Sequence, residues 1–250
     1  RRPHGRAVRG GEQEVSAGSP LVVGREGAVG IIELARPEKF NCLSLAVHAA
    51  IEAAMNDFEK PGSGVRAVLI RAQGKHFCTG ADLDEVKGLR SDPARIDHFI
   101  RYGHQVLQRL EASDLPVVAA CQGLVLAGGS ELMMACDVIF ASTDFRIGDQ
   151  HAQYGLVPGW GGSQRLPRIV GLRRGLDLFF SARWIDAQTA LQTAQAVLAR
   201  QDAYAAAALE VPQPACLAPA ERRRSSPTVR LAIAVAEQAL RQTSLAPQEL

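Results

Sequence analysis

The segment 124–137, LVLAGGSELMMACD, sets one carboxylate, Glu131, into an otherwise apolar run three residues after Gly128. Two readings fit it. An acid in the first turn of a helix starting at Gly128–Gly129 complements the helix dipole, worth ~0.3–1 kcal/mol. A carboxylate in an apolar pocket is instead tuned by burial and neighbours for proton transfer. A second glycine-bearing turn, GKHFCTGADLDEV (74–86), has a similar plan. In each, a strand-like run (RAVLIRAQ or PVVAAC) enters a glycine turn and then a helical pattern, leaving free N–H groups at the helix start. Two such starts brought together make paired donors for an oxyanion. Glycine there lets a substrate approach the backbone closely.

The elements that must position these residues are legible in the patterning. GAVGIIEL (27–34), RAVLIRAQG (66–74), PVVAACQG (116–123) and DVIFAST (137–143) are short β-branched runs bounded by Gly, Pro or Asp, and predict strands. LAVHAAIEAAMNDFEK (45–60) predicts a helix capped by Ser44, with Val47, Ile51, Ala54, Met55 and Phe58 on one face. ARIDHFIRYGHQVLQRLEAS (94–113) predicts another, its face carrying Ile96, Ile100, Val106, Leu107 and Leu110. Past residue 128 the pattern is mostly helical, ending in SPTVRLAIAVAEQALRQ (226–242). Strands alternating with helices imply an α/β core followed by a helical C-terminal region. The Pro-rich, basic stretch 211–227 predicts a loop.

Composition narrows the function. The chain of 250 residues carries a net charge of +2, too small for a nucleic-acid surface. No apolar run reaches the ~18–20 residues of a membrane span. Five scattered cysteines, without Cys-x-x-Cys spacing, argue against disulfides or zinc and for a reducing, cytoplasmic setting. The basic, Gly-rich opening 1–20 reads as a disordered or vector-derived segment and is set aside. Gly128-Gly129-Ser130-Glu131-Leu132 fails as a nucleophile elbow at its last position, and the glycines at 159–164 fail the dinucleotide pattern.

Several segments, in order, carry a resemblance: NCLSL (41–45), GKHFCTGADLDEV, CQGLVLAGGSELMMACDVIFA, FRIGDQHAQYGLVPGWGGSQRLPRIVG (145–171) and ARWIDAQTAL (182–191). Over roughly residues 25–191 the chain resembles the crotonase superfamily, the enoyl-CoA hydratase/isomerase family. The resemblance implies a spiral of ββα repeats, assembled as a homotrimer or dimer of trimers, that binds acyl-CoA thioesters. It implies an acyl-CoA-binding core at 21–180 and a divergent helical region at 181–250 serving oligomerisation or as a lid. The thioester oxygen would sit between the backbone N–H groups of Ala81 and Gly128. Glu131 would be the base that activates water for attack on the β-carbon. The resemblance calls for no metal or cofactor, because CoA arrives as part of the substrate.

One place departs from the family pattern. Where hydratases typically carry a second glutamate, this chain has His151. An imidazolium there can donate a proton to the α-carbon; a neutral ring would only shape the pocket. Asp149 is a spare carboxylate two residues earlier. Asp82, Leu83 and Asp84 follow the first oxyanion donor and are candidates for substrate contact through their backbone, the two aspartates also serving as helix-start carboxylates. Trp160 is a candidate wall of the acyl pocket or a core residue. His76 and Lys75 are either loop residues or neighbours of the CoA adenine or phosphates. The C-terminal lysine often used near those phosphates is absent, leaving Arg222, Arg223, Arg224 or Arg230 as substitutes. Hydration of a trans-2-enoyl-CoA is the leading expectation. Isomerisation, thioester hydrolysis and decarboxylation are alternatives on the same scaffold, and a catalytically poor acyl-CoA-binding protein is the alternative of another class.

Overall fold

A computed structural model describes residues 19–198. The opening segment to residue 18, the basic stretch 211–227, the pattern at 226–242 and the four arginines named above lie outside the described residues. Strands β1 (Leu21–Glu26) and β2 (Val29–Leu34) form an antiparallel hairpin turning at Gly27. Helix α1 (Leu45–Phe58) follows, and Ser44 caps it by accepting from the Val47 N–H at 3.2 Å. Then come β3 (Ala67–Ala72), α2 (Leu83–Leu89), α3 (Pro93–Glu111), β4 (Val117–Cys121) and β5 (Leu124–Leu126). Next are α4 (Gly128–Met134), β6 (Val138–Ala141) and β7 (Arg146–Gly148). After a 3-10 turn at His151–Tyr154 the chain turns helical, as α5 (Gly162–Val170), α6 (Leu172–Ser181), the short strand β8 (Ile185–Asp186) and α7 (Ala187–Leu198).

Five strands make one sheet in the order β1-β2-β3-β4-β6, parallel from β2 onward. β5 and β7 pair in parallel in a second sheet, which β8 joins antiparallel. Isolated parallel bridges link Leu43 to Ala81 and Cys78 to Val125. Successive windings therefore stack in register: Leu43 on Ala81, Cys78 on Val125, Leu124 on Arg146. Each winding gives a strand to the large sheet, a short strand or bridge to the second layer, and then a helix. This is the ββα spiral that the resemblance implies.

The inner strands β2, β3 and β4 are largely buried on both faces, which is why they appear in the sequence as nearly unbroken apolar runs, while the outer strand β6 is exposed. Ile32, Val68, Ile70 and Ala119 join the main core with Val47, Ile51, Met55 and Leu107 of the helices. Val29, Ile31, Leu69 and Val118 point the other way into a second cluster. The predicted apolar face of α1 is buried throughout. In α3 the C-terminal half matches expectation, but Ile100 is 42% exposed and Phe99 and Gly103 take the inner line instead. The reason is Trp160, whose ring lies against the helix where Gly103 leaves room. A Cβ on Gly103 would come within 2.4 Å of the Trp160 Nε1. Among the described residues no helix is long and apolar enough to cross a membrane.

Candidate active site

The two glycine turns meet because their windings pair. The Cys78 N–H donates to the Leu124 carbonyl at 3.3 Å, and the Leu126 N–H donates back to the Cys78 carbonyl at 3.0 Å. Gly80, at φ +106, lies so close that a Cβ on it would sit 3.1 Å from the Gly128 nitrogen. A Cβ on Gly129 would be 2.2 Å from the Cys78 carbonyl oxygen, so neither turn tolerates a side chain at these positions. Among the described residues the amides of Ala81 and Gly128 have no acceptor. The Gly128 amide is aimed by Ala127, held at φ 47 and ψ −120, a region a non-glycine residue rarely adopts. Ala127 in turn donates to the Gly148 carbonyl at 3.0 Å, tying the turn to the end of β7.

Glu131 lies in the first turn of α4, as the spacing predicts, and is fully buried. Its Oε1 accepts from the backbone N–H groups of Trp160 and Gly162, each at 2.8 Å. Its Oε2 has no hydrogen-bond partner. Burial pushes the Glu131 carboxyl above its ordinary value of 4.5, against the pull of the Gly162 amide, His151 and the Trp160 amide. Both readings offered for this residue are therefore physically present at once: the acid sits at a helix start, and it is held in an apolar, desolvated place.

Pairing of Leu126 with Gly148 in β5 and β7 sets the 3-10 turn beside α4. His151 Nε2 lies 3.7 Å from Glu131 Oε2, and its side chain is 14% exposed. Its Nδ1 lies 3.0 Å from Asp149 Oδ2. Burial lowers the affinity of the ring for a proton, but the hydrogen bond and charge of Asp149, with the charge of Glu131, outweigh it. The His151 pKa is raised from its ordinary 6.5. Asp149 thus meets the imidazole at the ring nitrogen other than the one that faces Glu131.

Trp160 is 4% exposed, with its ring between His48 and Phe99 at centroid distances of 4.7 and 5.5 Å. The ring also closes the space over Gly128, where a Cβ would meet Cζ3 at 2.3 Å. Asp82 caps α2 by accepting from the Asp84 and Glu85 amides and pairs with Arg36 at 3.0 Å. Its carboxylate is committed to structure, so any substrate contact falls to its backbone. Asp84 is exposed and pairs with Lys39 at 2.8 Å, and Leu83 is 52% exposed. His76 accepts from the Leu124 N–H at 3.1 Å and stacks on Phe40. Arg165, which the patterning did not single out, is buried, pairs with Glu111 and donates to the Trp160 carbonyl, bracing the loop that holds Glu131. A single arginine after a glycine run carries no signal of that role. A separate cavity of about 450 Å³ lies between α4 and α7; Asp149 lines it, whereas Glu131 and His151 do not.

The family profile described as enoyl-CoA hydratase/isomerase matches residues 24–210. A short-chain-enoyl-CoA hydratase from Clostridium acetobutylicum is 34% identical over 172 residues, covering 69% of this chain and 65% of that protein. A crotonyl-CoA hydratase from Syntrophomonas wolfei is 32% identical over 177 residues, with coverage of 69% and 65%. The chain thus spans just under two thirds of the length of these curated relatives. Among solved structures, an enoyl-CoA hydratase from Bacillus anthracis superposes with a TM-score of 0.67 at 26% identity, over 89% of this chain and 83% of that one. With the fold, the paired turns and the profile in agreement, the chain belongs to the enoyl-CoA hydratase/isomerase family.

Proposed function

We propose that the protein hydrates trans-2-enoyl-CoA thioesters. The observation that carries this reading is the unpartnered Oε2 of Glu131, facing His151 Nε2 at 3.7 Å beside the two free amides of Ala81 and Gly128. In this reading the thioester oxygen accepts from both amides, which stabilise the charge that develops on it. Glu131 takes a proton from water as the water oxygen bonds to the β-carbon. The electron pair of the resulting enolate takes a proton at the α-carbon from the His151 imidazolium. The net change is addition of one water. Transfer of the new proton on Glu131 to Nε2 then restores both groups. Leu83, Tyr154, Leu156 and Val157 are exposed apolar side chains on or next to the segments that carry these groups, which supports an acyl chain as the ligand. Asp82, Leu83, Asp84 and Trp160 enter the proposal as substrate contacts, the first three through their backbone.

The similarity to a short-chain-enoyl-CoA hydratase and a crotonyl-CoA hydratase supports this reading. A homotrimer or dimer of trimers, a lid role for 181–250 and a cytoplasmic setting belong to the same proposal. The four described cysteines, all buried and free, support a reducing compartment. Steady-state hydration of a short and a medium trans-2-enoyl-CoA tests the reaction. Glu131→Gln and His151→Ala should each lose about 10²–10⁴-fold in kcat. A parent that binds the thioester but turns over no faster than Glu131→Gln would sink the hydratase reading, and isomerase and thioester hydrolase assays would follow.

A further inference from the structure

Asp149 has a role that neither the family pattern nor the proposed reaction requires. It is 5% exposed and lines the cavity whose other walls include Met133, Phe145, Leu166 and Ile185. A carboxylate in such surroundings needs a cation or donors to stay charged. Among the described residues no lysine or arginine pairs with it, and both of its oxygens are spent on His151. Oδ1 accepts from the His151 backbone N–H at 3.1 Å, and Oδ2 lies 3.0 Å from Nδ1. An ionised carboxylate only accepts, so Nδ1 carries a proton. That leaves Nε2 facing Glu131 Oε2 at 3.7 Å. A neutral ring in this orientation would set one lone pair against another; an imidazolium sets an N–H there.

Resting on the reading of His151 as the proton donor, we infer that Asp149 is a positioning residue that holds His151 as an imidazolium with its Nε2–H directed at Glu131. The charged groups that face the ring are Asp149, from the loop after β7, and Glu131, from α4. Burial opposes the ring's charge, and these two carboxylates together overcome it. Asp149 thus does through a histidine what a second glutamate would do directly, supplying an acid that is protonated while Glu131 is ionised.

The experiment is an NMR titration of the imidazole nitrogens in the ¹⁵N-histidine-labelled full chain, with His151 assigned by His151→Gln, run beside pH profiles of kcat/KM for a trans-2-enoyl-CoA. In the parent, His151 should titrate above its ordinary 6.5 and keep its proton on Nδ1 when neutral. In Asp149→Asn the midpoint should fall by about one pH unit or more, a tenfold or greater loss in proton affinity. The alkaline limb of kcat/KM should move down with it. A parent whose His151 titrates at or below the ordinary value, or whose neutral ring carries its proton on Nε2, overturns the inference without recourse to any variant. An equal loss of rate at every pH in Asp149→Asn, with the midpoint unmoved, also overturns it, because that is what a merely structural carboxylate would give. If the titration behaves as expected while the parent hydrates nothing, the hydratase reading fails and the assignment of Asp149 stands.

Discussion

In the proposed reaction Glu131 carries two demands that oppose each other: it must lose its proton to act as a base, yet burial makes ionisation costly. Two backbone donors on Oε1 resolve part of the conflict and leave Oε2 without a hydrogen-bond partner. The proposed chemistry needs Glu131 ionised and His151 protonated together. Activity should therefore rise with pH through a limb above the ordinary carboxylate value of 4.5 and fall through a limb above the ordinary imidazole value of 6.5. A kcat/KM profile with only one limb would contradict the pairing. Trp160 is a second residue with a double task, since its backbone N–H holds Glu131 while its ring fills the space between His48, Phe99 and Gly128. Truncation in Trp160→Ala should cost about 3–5 kcal/mol in urea denaturation, and Trp160→Phe distinctly less.

At the scale of elements, the glycines separate those the fold requires from those it does not. Gly129→Ala sets a methyl 2.2 Å from a backbone oxygen of the neighbouring winding, where no rotamer change can relieve it. This variant should lose several kcal/mol of stability or fail to accumulate as folded protein. Gly88 lies in α2, is exposed, and has nothing within 4 Å of a would-be Cβ. Gly88→Ala should raise stability by about 0.5–1 kcal/mol, read as a higher Tm. The same contrast explains what the sequence made legible. Strands β2, β3 and β4 announce themselves because burial on both faces demands unbroken apolar residues, whereas β6, the exposed outer strand of the sheet, is legible from its β-branched run alone. β5 and β7, three residues each, are not legible, because their strand character comes from pairing with a neighbouring winding. Glu131 stands out in the sequence as a lone carboxylate in an apolar run, and His151 is singled out only through the resemblance, as the residue standing where a second glutamate is typical. The pairing of Asp149 with His151 is not legible, since it depends on a 3-10 turn that folds the imidazole back over its own loop. Ile100 misled for a related reason: the stripe of α3 shifts to admit a ring from sixty residues away.

For the molecule as a whole, two histidines pull stability in opposite directions with pH. His48 is fully buried with neither ring nitrogen partnered, and burial drives its pKa down to about 4. The unfolded chain takes up this proton near 6.5 while the folded one resists until about 4. Stability from His48 is therefore complete above 6.5 and is lost as pH falls toward 4, by an amount on the order of 3 kcal/mol. His151 has the opposite sign: its contribution is complete below 6.5 and is lost as pH rises through its raised folded value. Chemical denaturation across pH should show a maximum near the ordinary imidazole value, with His48→Leu flattening the acid side alone. The stacking of windings, finally, bears on how such a chain can diverge. The paired amides belong to adjacent layers, joined by the bridge from Cys78 to Val125, whereas α2 and α3 lie in the excursion between them. Insertions and deletions in that excursion leave the spacing of the amides untouched, while a one-residue change between Cys78 and Ala81 or between Val125 and Gly128 throws it out of step. The length of the excursion can thereby vary while the paired amides stay in step.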